Sequence, residues 1–107
     1  MKTKTAELKD QALDWAVAKA IGDYKPVAVP AYSTNWAQGG PIIEREHICT
    51  TVEHSGVWIA YSMWNYADEK RFMCSGPTPL IAAMRCYVAS RMGDLVEIPE
   101  ELTNEHD

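Results

Sequence analysis

Gly76-Pro77-Thr78-Pro79-Leu80-Ile81-Ala82-Ala83-Met84-Arg85-Cys86-Tyr87-Val88-Ala89-Ser90-Arg91-Met92-Gly93 is the stretch on which the fold turns. Thr78 is placed to cap a helix. Pro79 falls at its first position, where a missing amide costs nothing, and Gly93 stops it. Between those signals only Arg85, Ser90 and Arg91 are strongly polar. A helix this apolar has to be central, and burying Leu80, Ile81, Met84 and Val88 contributes roughly 1.5–3 kcal/mol each before entropy is subtracted. Arg85 is the odd member. A guanidinium at a core boundary needs a carboxylate, a ligand anion or water.

The other elements arrange themselves around that helix. Residues 5–21 read as a second helix, with Thr5 as its cap and Glu7 in its first turn. Leu13, Val17 and Ile21 recur at i, i+4, i+8 beside Ala16 and Ala20, and Trp15 closes the edge of that stripe. Gly22 is the C-terminal cap, and Lys9, Asp10, Asp14 and Lys19 form a solvated face. Val27-Ala28-Val29, between two prolines, fits an edge strand or an extended lead-in. Ile48 through Val52, the turn His54-Ser55-Gly56 and Val57 through Ser62 read as a β-hairpin whose second arm is apolar on both faces and asks for cover on both. Residues 63–75, with Trp64, Tyr66 and Phe72 among charges, read as a mobile or partner-facing loop. Leu95-Val96-Glu97-Ile98 reads as a final strand, and residues 100–107 as an acidic tail. The expected fold is α+β, with two helices packed on one face of a small, mainly antiparallel β-sheet, in a single domain over residues 1–99.

Composition narrows the function classes. A chain of 107 residues is near the commonest domain size. Its net charge of −5 argues against non-specific nucleic-acid binding, which needs clustered positive charge. No apolar run approaches the ~18–20 residues of a membrane span, and no apolar core follows the first five residues, so neither a membrane anchor nor a signal peptide is expected. Three cysteines without a Cys-x-x-Cys pair point to reduced thiols in a cytoplasmic protein.

Asn35-Trp36-Ala37-Gln38-Gly39-Gly40-Pro41-Ile42-Ile43-Glu44-Arg45-Glu46 carries the functional expectation. Gly-Gly-Pro reads as a loop, because glycine loosens the backbone and proline removes a donor. Ser33, Thr34 and Asn35 set neutral hydrogen-bonding groups beside Trp36, as a small polar ligand requires. Trp36 is suited to stack a planar group, while Arg45 and Arg85 are suited to grip phosphate or carboxylate. The start of the 79–92 helix offers a further anion site. The candidate ligand-binding set is therefore Ser33, Thr34, Asn35, Trp36, Gly39, Gly40, Arg45, Thr78 and Arg85. Trp36 and Arg45 are expected near Arg85 and the Thr78 end of the helix. The competing structural reading packs Trp36 on Arg85 as a cation–π pair.

These two blocks, Asn35 to Glu46 and Gly76 to Ala89, resemble the signature blocks of the NinX-like family of short tailed-bacteriophage and prophage proteins. Leu13-Asp14-Trp15-Ala16-Val17-Ala18 and Gly93-Asp94-Leu95-Val96-Glu97-Ile98-Pro99 are similar to the family's start and end, so the resemblance covers nearly the whole chain. It implies a phage or prophage origin and the host bacterial cytoplasm rather than a mechanism. The family pattern has Asp where Asn35 stands and a small residue where His47 stands, which weakens an acid–base role for the first and a metal role for the second.

Other chemistries find less support. His47, Cys49, Glu53 and His54 lack the two ligand pairs that zinc requires, so no metal is expected. Cys49 and Cys86 have no convincing base. Glu44 and Glu46 would share a face if strand-like, but two surface glutamates explain them as well. No Walker loop or Rossmann fingerprint occurs, and no cofactor is expected. The leading expectation is a phage accessory protein that is not an enzyme and binds a small anionic or nucleotide-like ligand, sequestering a host metabolite or defence signal. The alternative is a module that inhibits or redirects a host protein, with a small enzyme third. The two-sided apolar hairpin arm adds an expectation of a homodimer.

Overall fold

Helix α3 (Pro79–Met92) forms as its signals require. Thr78 Oγ1 accepts the Ile81 amide at 3.1 Å, Pro79 opens the helix, and Gly93 ends it. Leu80, Ala82, Ala83, Met84, Cys86, Tyr87, Val88 and Ala89 are all buried, so apolar side chains leave the helix in nearly every direction. The computed structural model describes residues 2–22, 29–63 and 70–102. In it every other layer is a cover for α3.

One cover is a three-stranded antiparallel sheet in the order β2 (Cys49–Val52), β3 (Trp58–Tyr61), β4 (Met73–Gly76). Thr50, Ala60 and Cys74 stand in register, and fully buried Ala60 marks the face that meets α3. The hairpin expected over 48–62 is therefore present. The third strand corrects the reading of residues 63–75 as a loop, since Met73–Ser75 belong to β4, and it was missed because Met-Cys-Ser-Gly has little strand propensity of its own. Close packing makes it a strand. A Cβ on Gly76 would lie 2.8 Å from the Ala82 nitrogen, so glycine lets β4 approach the α3 backbone. Residues 64–69 lie outside the described residues, as do 27 and 28 of the expected edge strand and 103–107 of the tail. Val29 packs partly buried against the core.

Helices α1 (Asp10–Ile21) and α2 (Trp36–Glu46) cover α3 from other directions. The α+β class and the antiparallel pairing hold, and the structure adds a third helix and a second sheet. The added helix corrects the reading of Asn35 to Glu46 as a loop. Asn35 Oδ1 accepts the Ala37 amide at 2.9 Å as a regular cap, and Ile42 is buried. Pro41 removes one ladder donor, but the residue before it is Gly40, which has no Cβ to clash with the proline ring in helical geometry. Gly39 supplies the reason to be helical, since its bare backbone lies against the Tyr32 carbonyl and within reach of Leu80 Cδ1. Packing outweighs local propensity.

The second sheet pairs β1 (Lys2–Lys4) with β5 (Leu95–Glu97), Thr3 opposite Val96. That pairing overturns the helix start expected at Thr5. Thr5 instead sits in a 3-10 turn over Thr5–Glu7, its hydroxyl donating to Gly93 O at 2.6 Å and its amide to Asp94 O at 2.8 Å. Buried Leu8 then turns the chain before α1 begins. Gly22 caps α1 in the left-handed region at φ 87°, as its position implied. Residues 100–102 form a last 3-10 turn with Leu102 against the core.

The two glycines of α2 should behave oppositely. Gly39→Ala should destabilise by about 1–3 kcal/mol in urea unfolding, through overlap with Tyr32 and Leu80. Gly40→Ala meets only Trp36 Cε3 at 3.7 Å. It should be clearly the milder change, its helix-propensity gain of up to ~1 kcal/mol set against the Cβ it places before Pro41.

Candidate functional site

Helices α2 and α3 lie side by side and run in the same direction: Gly39 packs on Leu80, Arg45 reaches Tyr87, and Glu46 reaches Arg91. At their C-terminal ends this alignment gathers a charged cluster. Arg45 Nε donates to Glu46 Oε2 at 2.9 Å, and Arg91 Nη2 donates to the same oxygen at 3.3 Å. Arg45 Nη2 also reaches the Tyr87 hydroxyl at 3.4 Å. Both guanidiniums stand over the Tyr87 ring, 6.0 and 5.3 Å from its centre, and leave that residue 1% exposed. Burial alone would raise the Glu46 carboxyl, but hydrogen bonds and charge from Arg45 and Arg91 hold it below the ordinary value. The hydrogen bond to Glu46 likewise holds Arg45 above its own. Two cations against one anion leave the cluster positive on a protein of net charge −5.

Helical geometry divides the remaining candidates. Trp36 and Arg45 are nine residues apart, which is about 13–14 Å along α2 and about half a turn around it. Trp36 is 55% exposed on the opposite flank, beside Gly40. Arg85 and Tyr87 are two residues apart, about 200° around α3. Arg85 thus faces away from Arg45, and its hydrogen-bond partners among the described residues are two backbone carbonyls. Its Nε donates to Leu8 O at 2.8 Å and its Nη1 to Ser75 O at 2.9 Å. Half-buried, it ties the N-terminal segment to β4. Glu44 and Glu46, also about 200° apart on a helix, do not share a face.

Ser33, Thr34, Asn35 and Thr78 serve backbone geometry. The Thr34 and Asn35 amides donate to Ala31 O, and Asn35 and Thr78 cap α2 and α3. Asp14 corrects an expectation. It is not solvated but half-buried, and it accepts the Ser33 amide at 2.8 Å, pinning this turn to α1. Burial pushes its carboxyl up, against the opposing pull of Ser33, and Asp10 adds repulsion. The buried Ser33 hydroxyl has no partner in hydrogen-bond geometry, although it lies close enough to influence that carboxylate.

His47 is the left-handed C-cap of α2, at φ 56°. That geometry is a physical reason for a small residue there. No group of three or more metal-ligating side chains occurs among the described residues. Burial pushes the Cys86 thiol up to about 12, which makes it a poor nucleophile. Sequence reasoning missed Arg91. The signal was present: Tyr87 and Arg91 stand at i, i+4 on the α3 face that meets α2.

Fold and surface together define a small α+β protein with a paired-arginine face at the adjoining ends of two helices. The chain matches the family described as Bacteriophage P22, NinX over residues 24–91, well over half its length, and belongs to that family. The match spans α2, the three-stranded sheet and nearly all of α3, and makes this a phage accessory protein. No match is found among curated proteins. Among the described residues no helix is long and apolar enough to cross a membrane.

Two measurements check these assignments. Arg85→Met should cost about 2 kcal/mol or more by leaving Leu8 O and Ser75 O unpaired, whereas Arg91→Met should cost under ~1 kcal/mol. Asp14 gives a pH signature. Its folded pKa lies above the unfolded value, so its favourable contribution is full at low pH and lost as pH rises through the folded pKa. Asp14→Asn keeps the acceptor for Ser33, and its stability relative to the parent should improve from pH 3 to pH 7. Asp14→Ala loses the acceptor and should fall by about 1 kcal/mol.

Proposed function

We propose that this phage accessory protein is a non-enzymatic binder of a small anionic ligand, phosphate-bearing as in a nucleotide, and that the Arg45–Arg91 face is its site. The observation that carries the reading is the convergence of two half-exposed guanidiniums on one ring with a single carboxylate between them. Glu46 orients both forks, and their remaining N–H donors match the oxygens of a phosphate. The site sits on two helix ends fixed by the core, so little ordering is needed on binding. In a phage accessory protein such a binder would sequester a host metabolite or defence signal.

Thermal shift with nucleotides and sugar phosphates tests this. A ligand at 100 times its Kd adds about 2.7 kcal/mol, several degrees in Tm for a domain of this size. The shift should shrink with added salt and vanish in Arg45→Met/Arg91→Met, which keeps the cover over Tyr87 and removes the charge. No response to any phosphate compound would sink the reading.

A second reading, a module that docks on a host protein, rests on Trp36, which is exposed on the flank away from the arginines. Pull-down from host lysate separates the two, since Trp36→Ala should abolish capture of a host protein and leave anion binding intact.

A further inference from the structure

Ala82, Cys86 and Ala89 follow at i, i+4 and i+7, on one side of α3, and all three face β4. Ala82 meets Gly76. A Cβ on that glycine would lie 3.2 Å from Ala82 Cα, so the two Cα atoms are no more than about 4.7 Å apart. Cys86 meets the strand one turn further on, where its S–H donates to Phe72 O at 3.6 Å. Ala89 lines a cleft together with Met73 and Cys74. Strand and helix therefore run antiparallel and in contact from Gly76 back to Phe72.

That alignment puts two thiols face to face. Two residues along a strand are about 6.6 Å and one helical turn is about 6 Å, so the step from Gly76 to Cys74 matches the step from Ala82 to Cys86. Cys74 pairs with fully buried Ala60, and cross-strand partners share a face, so its side chain points toward α3. A disulfide spans Cα atoms ~4.4–6.8 Å apart, and the contact at Gly76 starts within that range. Access to the two thiols differs. Cys86 is 0% exposed, whereas Cys74 is half-buried and borders the cleft, whose volume is about 460 Å³. Lys4 to Ala6 form the other wall, and Arg85 bridges Leu8 O and Ser75 O across the gap. Such a cleft admits a molecule of a few atoms. Burial pushes both thiols up; the Arg85 charge opposes this at Cys74, and Asp94 adds to it.

We propose that Cys74 and Cys86 are a dithiol oxidation site, which hydrogen peroxide entering the cleft converts to a disulfide that staples β4 to α3. Cys74 sulfur attacks one peroxide oxygen, the O–O bond breaks, and the departing hydroxide takes the thiol proton to leave as water. Cys86 sulfur then attacks the sulfur of the Cys74 sulfenic acid, the S–O bond breaks, and a second water carries off the Cys86 proton. The two thiols give up two electrons and the peroxide takes both. Cys86 is slow toward anything dissolved, and its fixed place beside Cys74 supplies the effective concentration that closes the bond. Two protonated thiols keep the pair reduced through brief exposure, so it answers to sustained oxidation. The site is separate from the arginine face and stands or falls without it.

Peptide mass spectrometry of the full chain tests the proposal, in a Cys49→Ser background that removes the exposed third thiol. After hydrogen peroxide treatment of the folded protein, digestion should yield a linked Cys74–Cys86 peptide, two hydrogens lighter than its parts and separated again by dithiothreitol. Adding Cys86→Ala should stop the reaction at the Cys74 sulfenic acid, which dimedone should then label at least tenfold more than when Cys86 is present. With Cys74→Ser instead, Cys86 should oxidise at least tenfold more slowly, because its entry thiol is gone. No Cys74–Cys86 linkage in the folded protein at millimolar peroxide would overturn the proposal, and that readout needs no substitution in the core. Equal dimedone labelling of Cys74 with and without Cys86, or undiminished oxidation of Cys86 in Cys74→Ser, would overturn it as well.

Discussion

A helix that is apolar around its whole circumference cannot sit on a surface, and this fold is the answer to that constraint. α3 is buried from Leu80 to Ala89 except at Ile81 and Arg85, which are half-buried. No single sheet face or partner helix can cover such an element, because each covers a stripe. The three-stranded sheet, α1, α2 and the N-terminal turn therefore share the task. Close approach is obtained with missing side chains. Gly76 admits β4 to the α3 backbone, and Gly39 admits α2 to Leu80 and the Tyr32 carbonyl.

Arg85 shows what happens where two covers meet. The 3-10 turn and β4 approach α3 from neighbouring directions and do not pair with each other, so Leu8 O and Ser75 O are left at the seam. A planar fork with several donors satisfies both at once. Burial pulls Arg85 below its ordinary pKa, but an arginine remains charged, and charge-assisted bonds to carbonyls offset the cost of its position. The residue that stood out in the sequence as unexplained is thus explained by the fold.

Legibility followed the locality of the signal. Thr78, Pro79, Gly93 and Gly22 act within a few residues of their own position, and each does what its place implied. The hairpin was legible for the same reason. What was not legible depends on distant partners. β1 exists because β5 lies beside it, some ninety residues away, and that pairing takes Thr5 from the cap role that its local sequence supports. α2 carries a motif that breaks helices in isolation and is helical because Gly39 and Ile42 pack inward. Once residues 36–46 wind into a helix, a candidate set drawn from a loop is dealt to different flanks, and Asp14 is drawn in to hold the turn at Ser33.

The same winding separates what the fold needs from what it leaves over. Arg45 and Arg91 are about half exposed, and ion pairs in such positions add little to stability. Their aliphatic stems do cover the Tyr87 ring, a task that any long side chain performs. Cover therefore accounts for two long residues and not for two positive charges, in a protein whose charge is otherwise negative. Glu46 cancels one charge and holds both forks in place. Both charges also lie over the Tyr87 ring in the last turns of their helices, where a cation complements the helix dipole. Their location at the parallel ends of α2 and α3 leaves about half of each guanidinium in solvent, and that exposure is what the proposed anion would use.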